Sequence, residues 1–201
     1  MVDFLEYAPL AATGFAILQF VPQISKLQGT EDTAGVSWSW AALTSVNNAA
    51  WFVYFALSGF WTALAASLSA TLFAGALAIM LAFRGHMKAR PMLLIIAWAG
   101  LLIVGFASAG RAGLGTLLTA AFALQVTPSI WTAYRADRPT GISRATWMLV
   151  FGELSCWTIF AFHKSDPRLI VLGCTGVVAS VLMLVRIHHT ARSARMTVTA
   201  Q

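Results

Sequence analysis

The stretch Leu18-Gln19-Phe20-Val21-Pro22-Gln23-Ile24 returns further along the same chain. There, 106 residues on, the sequence reads Leu124-Gln125-Val126-Thr127-Pro128-Ser129-Ile130. Leucine, glutamine, proline and isoleucine recur in one register. The same ungapped shift sets Gly35 on Gly141, Ser37 on Ser143, Leu43 on Leu149 and Trp51 on Trp157. Proline and tryptophan are scarce residues, so their joint recurrence marks an internal repeat.

Outward from this stretch, both copies run into long apolar segments. The chain is 59% hydrophobic and 10% charged, with a mean hydropathy of +0.76. A soluble domain carries about 25% charged residues, so a water-soluble fold is excluded. A membrane span needs about 20 predominantly apolar residues. Candidates fall at 7–27, 37–58, 61–83, 92–109, 112–134, 144–163 and 168–187, separated by glycine, proline or charge. Pro91 and Pro167 suit the first turn of a helix, where the missing N–H costs nothing. Each repeat then holds three spans, and the fourth span lies between them. Three spans invert the chain and the fourth reverses it again, so the copies lie parallel, a known transporter plan. The expected fold is an all-α integral membrane protein: seven transmembrane helices as two parallel three-helix bundles joined by a linker helix. Residues 1–84 form the first repeat, 85–110 the linker loop and fourth helix, 111–188 the second repeat, and 189–201 a basic cytoplasmic tail.

Charge sets the expected direction. Arg111, Lys164 and Arg168 fall on the side of the N-terminus, and the other ten of the 13 Lys and Arg fall opposite. The positive-inside rule places the N-terminus outside and the C-terminus in the cytoplasm of a cell membrane. Val2-Asp3-Phe4-Leu5-Glu6 is acidic where a signal peptide is basic, so the first span is expected to be retained. The net charge of +6 comes from loops between apolar runs and forms no aromatic-rich basic patch, so nucleic acid is not expected as a partner. Cys156 and Cys174 sit within apolar stretches without metal spacing, which reads as buried free thiols.

The motif residues carry a resemblance. The first copy reads Gln19-Phe20-Val21-Pro22-Gln23-Ile24-Ser25-Lys26, then Thr33-Ala34-Gly35-Val36-Ser37, then Asn47-Asn48-Ala49-Ala50-Trp51. The second reads Gln125-Val126-Thr127-Pro128-Ser129-Ile130, then Pro139-Thr140-Gly141-Ile142-Ser143, then Gly152-Glu153-Leu154-Ser155-Cys156-Trp157. In these residues the chain resembles the PQ-loop superfamily and, within it, the SWEET sugar transporters. The resemblance implies two triple-helix bundles around a central solute path. It also implies an outside N-terminus, in agreement with the charge count. Where that family carries a sugar-binding asparagine in the third span of each repeat, this chain offers Ser67, Ser69, Gly173 and Thr175.

Glu153 is the one carboxylate deep in a span. A charge near the bilayer centre costs at least about 2.5–3.5 kcal/mol, so such a residue faces the bundle interior or a wet cavity. It reads as a solute-binding or proton-carrying group, or as a neutral acid bonded to a neighbouring helix. Its repeat mate is Asn47. Trp51 follows Asn47 by four residues and Trp157 follows Glu153 by four, so each polar group shares a helical face with an indole. Two such faces across a pseudo-twofold axis would form a slot between indoles. That slot suits the C–H face of a sugar or, by cation–π attraction, an ammonium. Trp38, Trp40, Trp61 and Trp147 lie near span ends and read as interfacial anchors. Pro22 and Pro128 each remove a helical hydrogen bond. With Gln19, Gln23 and Gln125 nearby, they read as hinge and gating residues. Ser67, Gly173 and Thr175 complete the expected solute-binding set.

No catalytic constellation, cofactor or metal site is expected. A retinal-binding light sensor is excluded, because Lys26, Lys88 and Lys164 all lie outside the seventh span. The expected function is facilitative transport of a small solute, with sugar favoured, by alternating access. Proton-coupled transport of an amino acid or related solute is the first alternative. A seven-helix cargo or ligand receptor that binds without flux is the second. The lipid bilayer is the expected environment, and a homo-oligomer is compatible with the sequence.

Overall fold

The computed structural model describes residues 4–29, 37–135 and 144–199. The side chains at 21–23, 25–29, 128, 129, 132 and 190–199 lie outside that description. A short 3-10 helix, Phe4–Tyr7, leads into six α-helices: α1 (Ala8–Gly29), α2 (Trp38–Ser58), α3 (Trp61–Phe83), α4 (Ala89–Arg135), α5 (Arg144–Lys164) and α6 (Pro167–Thr199). The described residues contain no strand. The protein is all-α, and four of its helical segments are long and apolar enough to cross a membrane: Trp61–Phe83, Ala89–Thr127, Arg144–Lys164 and Pro167–His189. Helix α2 has the length, but Thr44, Ser45, Asn47 and Asn48 lower its hydropathy. Large apolar side chains such as Leu93, Leu94, Ile103 and Val104 are exposed. In water such a surface would drive association.

Helix α4 is not one rod. Ala109 (φ −135°, ψ 15°) and Gly110 (φ 57°, ψ −145°) break it into two arms, 89–108 and 111–135. The Gly110 conformation is open to glycine alone among common residues. The arms fold back on each other, with Gly113 against the Gly105 carbonyl.

Helix starts follow capping chemistry. Ser37 caps α2 by accepting from the Trp40 N–H at 3.3 Å. Asp166 caps α6, with Oδ1 accepting from Arg168 N at 3.0 Å and Leu169 N at 3.2 Å. Pro167 takes the first helical position, where no N–H is needed. The α2–α3 and α5–α6 turns are alike. Gly59 (φ 68°) and Ser165 (φ 51°) are both left-handed. Gly59 N donates to Ala56 O and Phe60 N to Phe55 O; Ser165 N donates to Phe162 O and Asp166 N to Ala161 O. All four donor–acceptor positions are offset by 106 residues.

Helix α3 packs on both α1 and α2, and α6 packs on both α5 and α4. Across the middle, α1 meets α5 and α2 meets α4. The core between these groups is aromatic, built on Trp51, Tyr54, Phe55, Trp157 and Phe160. At one end the 3-10 helix acts as a strap. Thr62 Oγ1 donates to the Glu6 carbonyl at 2.7 Å, and the Glu6 carboxylate pairs with Lys164 and lies 3.5 Å from His163 Nε2.

Helix α6 continues to Thr199, through the segment 189–199 expected to be a tail. Nothing between 189 and 199 breaks a helix, since the segment holds neither proline nor glycine. Polarity there marks a change of surroundings, which the backbone hydrogen bonds do not register.

Candidate functional site

A cavity of about 370 Å³ lies between the two helix groups, walled by α1, α2, α3, the second arm of α4, α5 and α6. It runs from Trp40 and Trp147, in the first turns of α2 and α5, to Phe55 and Leu169 near the far ends. Its polar lining includes Gln19, Asn47, Asn48, Ser67, Gln125 and Glu153. Among the described residues, the lining holds one carboxylate and no basic side chain.

The sequence brings these groups together by helical spacing. Positions 40, 44, 47, 48, 51 and 55 form one face of α2; positions 147, 150, 153, 154 and 157 form the matching face of α5. Gln19 Nε2 donates to Glu153 Oε2 at 2.7 Å, linking α1 to α5. Asn47 is held differently. Trp98, on the first arm of α4, donates its indole N–H to Asn47 Oδ1 at 2.7 Å. An indole is only a donor, so this bond turns the Asn47 oxygen toward Trp98. Thr44 Oγ1 is buried in the wall with no partner among the described residues.

Of the residues expected to form the site, Trp51, Trp157, Asn47, Glu153, Ser67, Gln19 and Gln125 line the cavity together. Gly173 and Thr175 are not among the lining residues. Gly173 instead admits close packing of α6 on α5, where an added Cβ would stand 2.5 Å from Thr158 Oγ1 and 2.9 Å from Thr158 Cα. The side chains of Pro22, Gln23 and Pro128 lie outside the described residues. Trp40 and Trp147, expected as interfacial anchors, line the cavity. It reaches the first turns of α2 and α5, where position near a helix end is no guide to facing.

The indoles do not face each other across an empty slot. Phe55 stands between them, its ring centroid 5.4 Å from Trp51 at 22° and 5.2 Å from Trp157 at 11°. This three-ring stack floors the cavity. Beyond it, Tyr54 OH donates to Asp166 Oδ2 at 2.5 Å, joining the end of α2 to the start of α6. Arg168 Nε donates to the Ala112 carbonyl at 3.2 Å and lies 3.3 Å from Thr116 Oγ1, which ties in the second arm of α4. Gly115 allows that approach, since a Cβ there would stand 2.4 Å from Tyr54 Cε2 and 2.6 Å from Arg168 Cδ. The 106-residue mates of Tyr54 and Asp166 are Phe160 and Phe60. These also touch, edge to face, at 5.4 Å. One half of the floor is latched by a hydrogen bond and the other by an aromatic pair.

No family model and no characterised protein matches the sequence.

The latch supports a stability prediction. Hydrogen bonds to charged groups are worth about 1.5–3 kcal/mol, and loss of an N-cap costs about 1 kcal/mol. Tyr54→Phe removes the first; Asp166→Ala removes both. Thermal unfolding of the detergent-solubilised protein should therefore rank Asp166→Ala below Tyr54→Phe and both below the wild type. Equal midpoints for all three would show that the Tyr54–Asp166 contact holds nothing together.

Proposed function

We propose that the protein is a facilitative transporter that moves a small polar solute, with sugar favoured, across a cell membrane by alternating access. The observation that carries this reading is the cavity between the two helix groups. It is lined by repeat mates (Gln19 and Gln125, Asn47 and Glu153, Trp51 and Trp157) and ends at an aromatic stack behind which Tyr54 and Asp166 join the two groups. A path lined by repeat mates and closed at one end is what a carrier needs to expose its site to one side at a time.

Span arithmetic supports seven crossings. The apolar segment Ala89–Thr127 has 39 residues. At 1.5 Å per residue it would be roughly 58 Å long, about twice the hydrocarbon thickness of a bilayer. The break at Ala109 and Gly110 divides it into two ordinary spans. The paired turns and the mated Tyr54–Asp166 and Phe160–Phe60 contacts support two parallel three-helix repeats with the first arm of α4 as linker. The charge count favours an outside N-terminus, which makes the latched end external and the Trp40–Trp147 end cytoplasmic.

Proton-coupled transport of an amino acid is the second reading. It is favoured by Glu153, a carboxylate in a cavity wall with no cation among the described residues. Glu153→Gln keeps the shape and the bond to Gln19 while removing the titrating group. A uniporter should retain downhill flux in this variant, at a rate indifferent to a pH gradient. A proton-coupled carrier should lose gradient-driven uptake by about tenfold or more, the scale of a missing proton-transfer group.

The deciding experiment is solute counterflow in proteoliposomes with mono- and disaccharides and amino acids, with and without a pH gradient. Sugar exchange indifferent to pH supports the first reading, and amino-acid flux that follows the gradient supports the second. Binding without flux would turn the assignment to a ligand receptor.

A further inference from the structure

Phe55 breaks the symmetry of the cavity floor. Its neighbours on α2 have mates of similar size, Trp51 with Trp157 and Tyr54 with Phe160, but the mate of Phe55 is Ala161. Ala161 is fully buried, so the fold accepts a small residue at that level of the other repeat. One phenyl ring therefore fills the centre from one side. It stacks on Trp51 of its own helix and on Trp157 of α5, and it is 3% exposed.

Depth follows from helical rise. Phe55 lies eight residues beyond Asn47 on the same face of α2, roughly 12 Å along the axis. The polar groups that would bond a solute, Asn47, Glu153 and Gln125, lie on the mouth side of the stack. A solute held by them meets the edge of the Phe55 ring when it reaches deeper. Without that ring the two indoles would face a gap of about one six-membered ring, bordered by Tyr54, which stands edge-on to Trp51 and Phe55. Flat apolar faces of that spacing accept the face of another ring.

We propose that Phe55 is the specificity-determining residue that limits this cavity to solutes of a single ring or equivalent length. Truncating it deepens the site by one ring and admits solutes of two units. The inference rests on the reading that the cavity binds solute, and it adds which residue sets the size limit.

The test is equilibrium binding by titration calorimetry to the purified full chain, as wild type, Phe55→Leu and Phe55→Ala. The probes are two ladders: glucose, sucrose and raffinose; alanine, dialanine and trialanine. In the ladder that binds, Phe55→Ala should improve affinity for the two-unit member by about tenfold while the one-unit member stays within about threefold of wild type, the scale of one added group in an apolar pocket. Phe55→Leu should fall between, and it carries the test if the alanine variant fails to fold. An unchanged one-unit to two-unit preference across the proteins would overturn the proposal and leave Phe55 a packing residue. Absence of binding in every protein, wild type included, would remove the solute-binding reading and this inference with it. That outcome differs visibly from an unchanged preference.

Discussion

Gly113→Ala should prevent the two arms of α4 from closing and sharply reduce the yield of folded protein. A Cβ at Gly113 would stand 2.1 Å from the Gly105 carbonyl oxygen, 3.0 Å from its carbonyl carbon and 3.0 Å from Ala109 Cβ. The first two atoms are backbone in a facing helix, so relief requires the arms to separate. Overpacking costs about 1–3 kcal/mol where side chains can adjust, and more where they cannot; a loss of about 3 kcal/mol or more is expected here. Gly105→Ala is the internal control. Its Cβ would meet Leu117 Cδ1 at 2.3 Å, the end of a flexible side chain that can turn away, and only then Gly113 backbone at 3.8 Å. Fluorescence-detected size exclusion and thermal midpoints should place Gly113→Ala far below Gly105→Ala. Equal midpoints would mean that the arms do not approach this closely.

Gly113 matters because of what the second arm holds. Three residues beyond the break, it lies in the first turn of the arm that brings Gly115 against Tyr54 and Arg168, then Leu118, Phe122 and Gln125 into the cavity wall. An error at the arm–arm contact therefore propagates to the latch and to the cavity wall.

Helix positions were legible in the sequence because bilayer-length apolar runs are separated by residues that end helices. The expected 61–83 coincides with Trp61–Phe83, and the expected turn at Gly110 falls on the residue with the left-handed backbone. The extension of α6 was not legible, because loss of hydropathy signals a change of surroundings and not a helix end. Register placed Asn47, Trp51, Glu153 and Trp157 among the cavity residues, while Gln19 and Gln125, expected as hinge and gating residues, line the same cavity. A polar group and an indole four residues apart, found twice at one offset, must point the same way from two helices.

Three features gave a weaker signal or none. Phe55 is one phenylalanine among apolar neighbours; only its mismatch with Ala161, read beside Trp51 and Trp157, marks it as unusual. Trp98 lies on the first arm of α4, outside both copies of the sequence repeat, so no register argument reaches it. Asn47 bonds Trp98, whereas its 106-residue mate Glu153 bonds Gln19. The Tyr54–Asp166 contact had a partial signal. Asp before Pro at a span start is a helix-cap pattern, and it places a carboxylate at the boundary without naming the tyrosine that meets it.

Trp157→Ala should abolish solute exchange in proteoliposomes while the protein still inserts and elutes normally, and Trp51→Ala should have the smaller effect of the two. Both indoles stack on Phe55, but only the Trp157 contact joins α2 to α5. Trp157 also lies four residues beyond Glu153 on the cavity-facing side of α5, so its removal takes away the floor contact and leaves a void beside the carboxylate. Losing a stacked aromatic pair forfeits about 0.5–1.5 kcal/mol beyond lost burial. The stacking alone amounts to about tenfold in exchange rate at 1.4 kcal/mol per factor of ten, and the lost burial adds to it. Trp157→Phe keeps a ring for Phe55 to stack on. Exchange by Trp157→Phe should lie within about tenfold of wild type and well above Trp157→Ala. If Trp157→Phe is as inactive as Trp157→Ala, the path needs the indole itself and not a stacked ring. If all three variants exchange solute like the wild type, the solute path does not run past this stack, and the cavity residues grouped by the repeat have some other use.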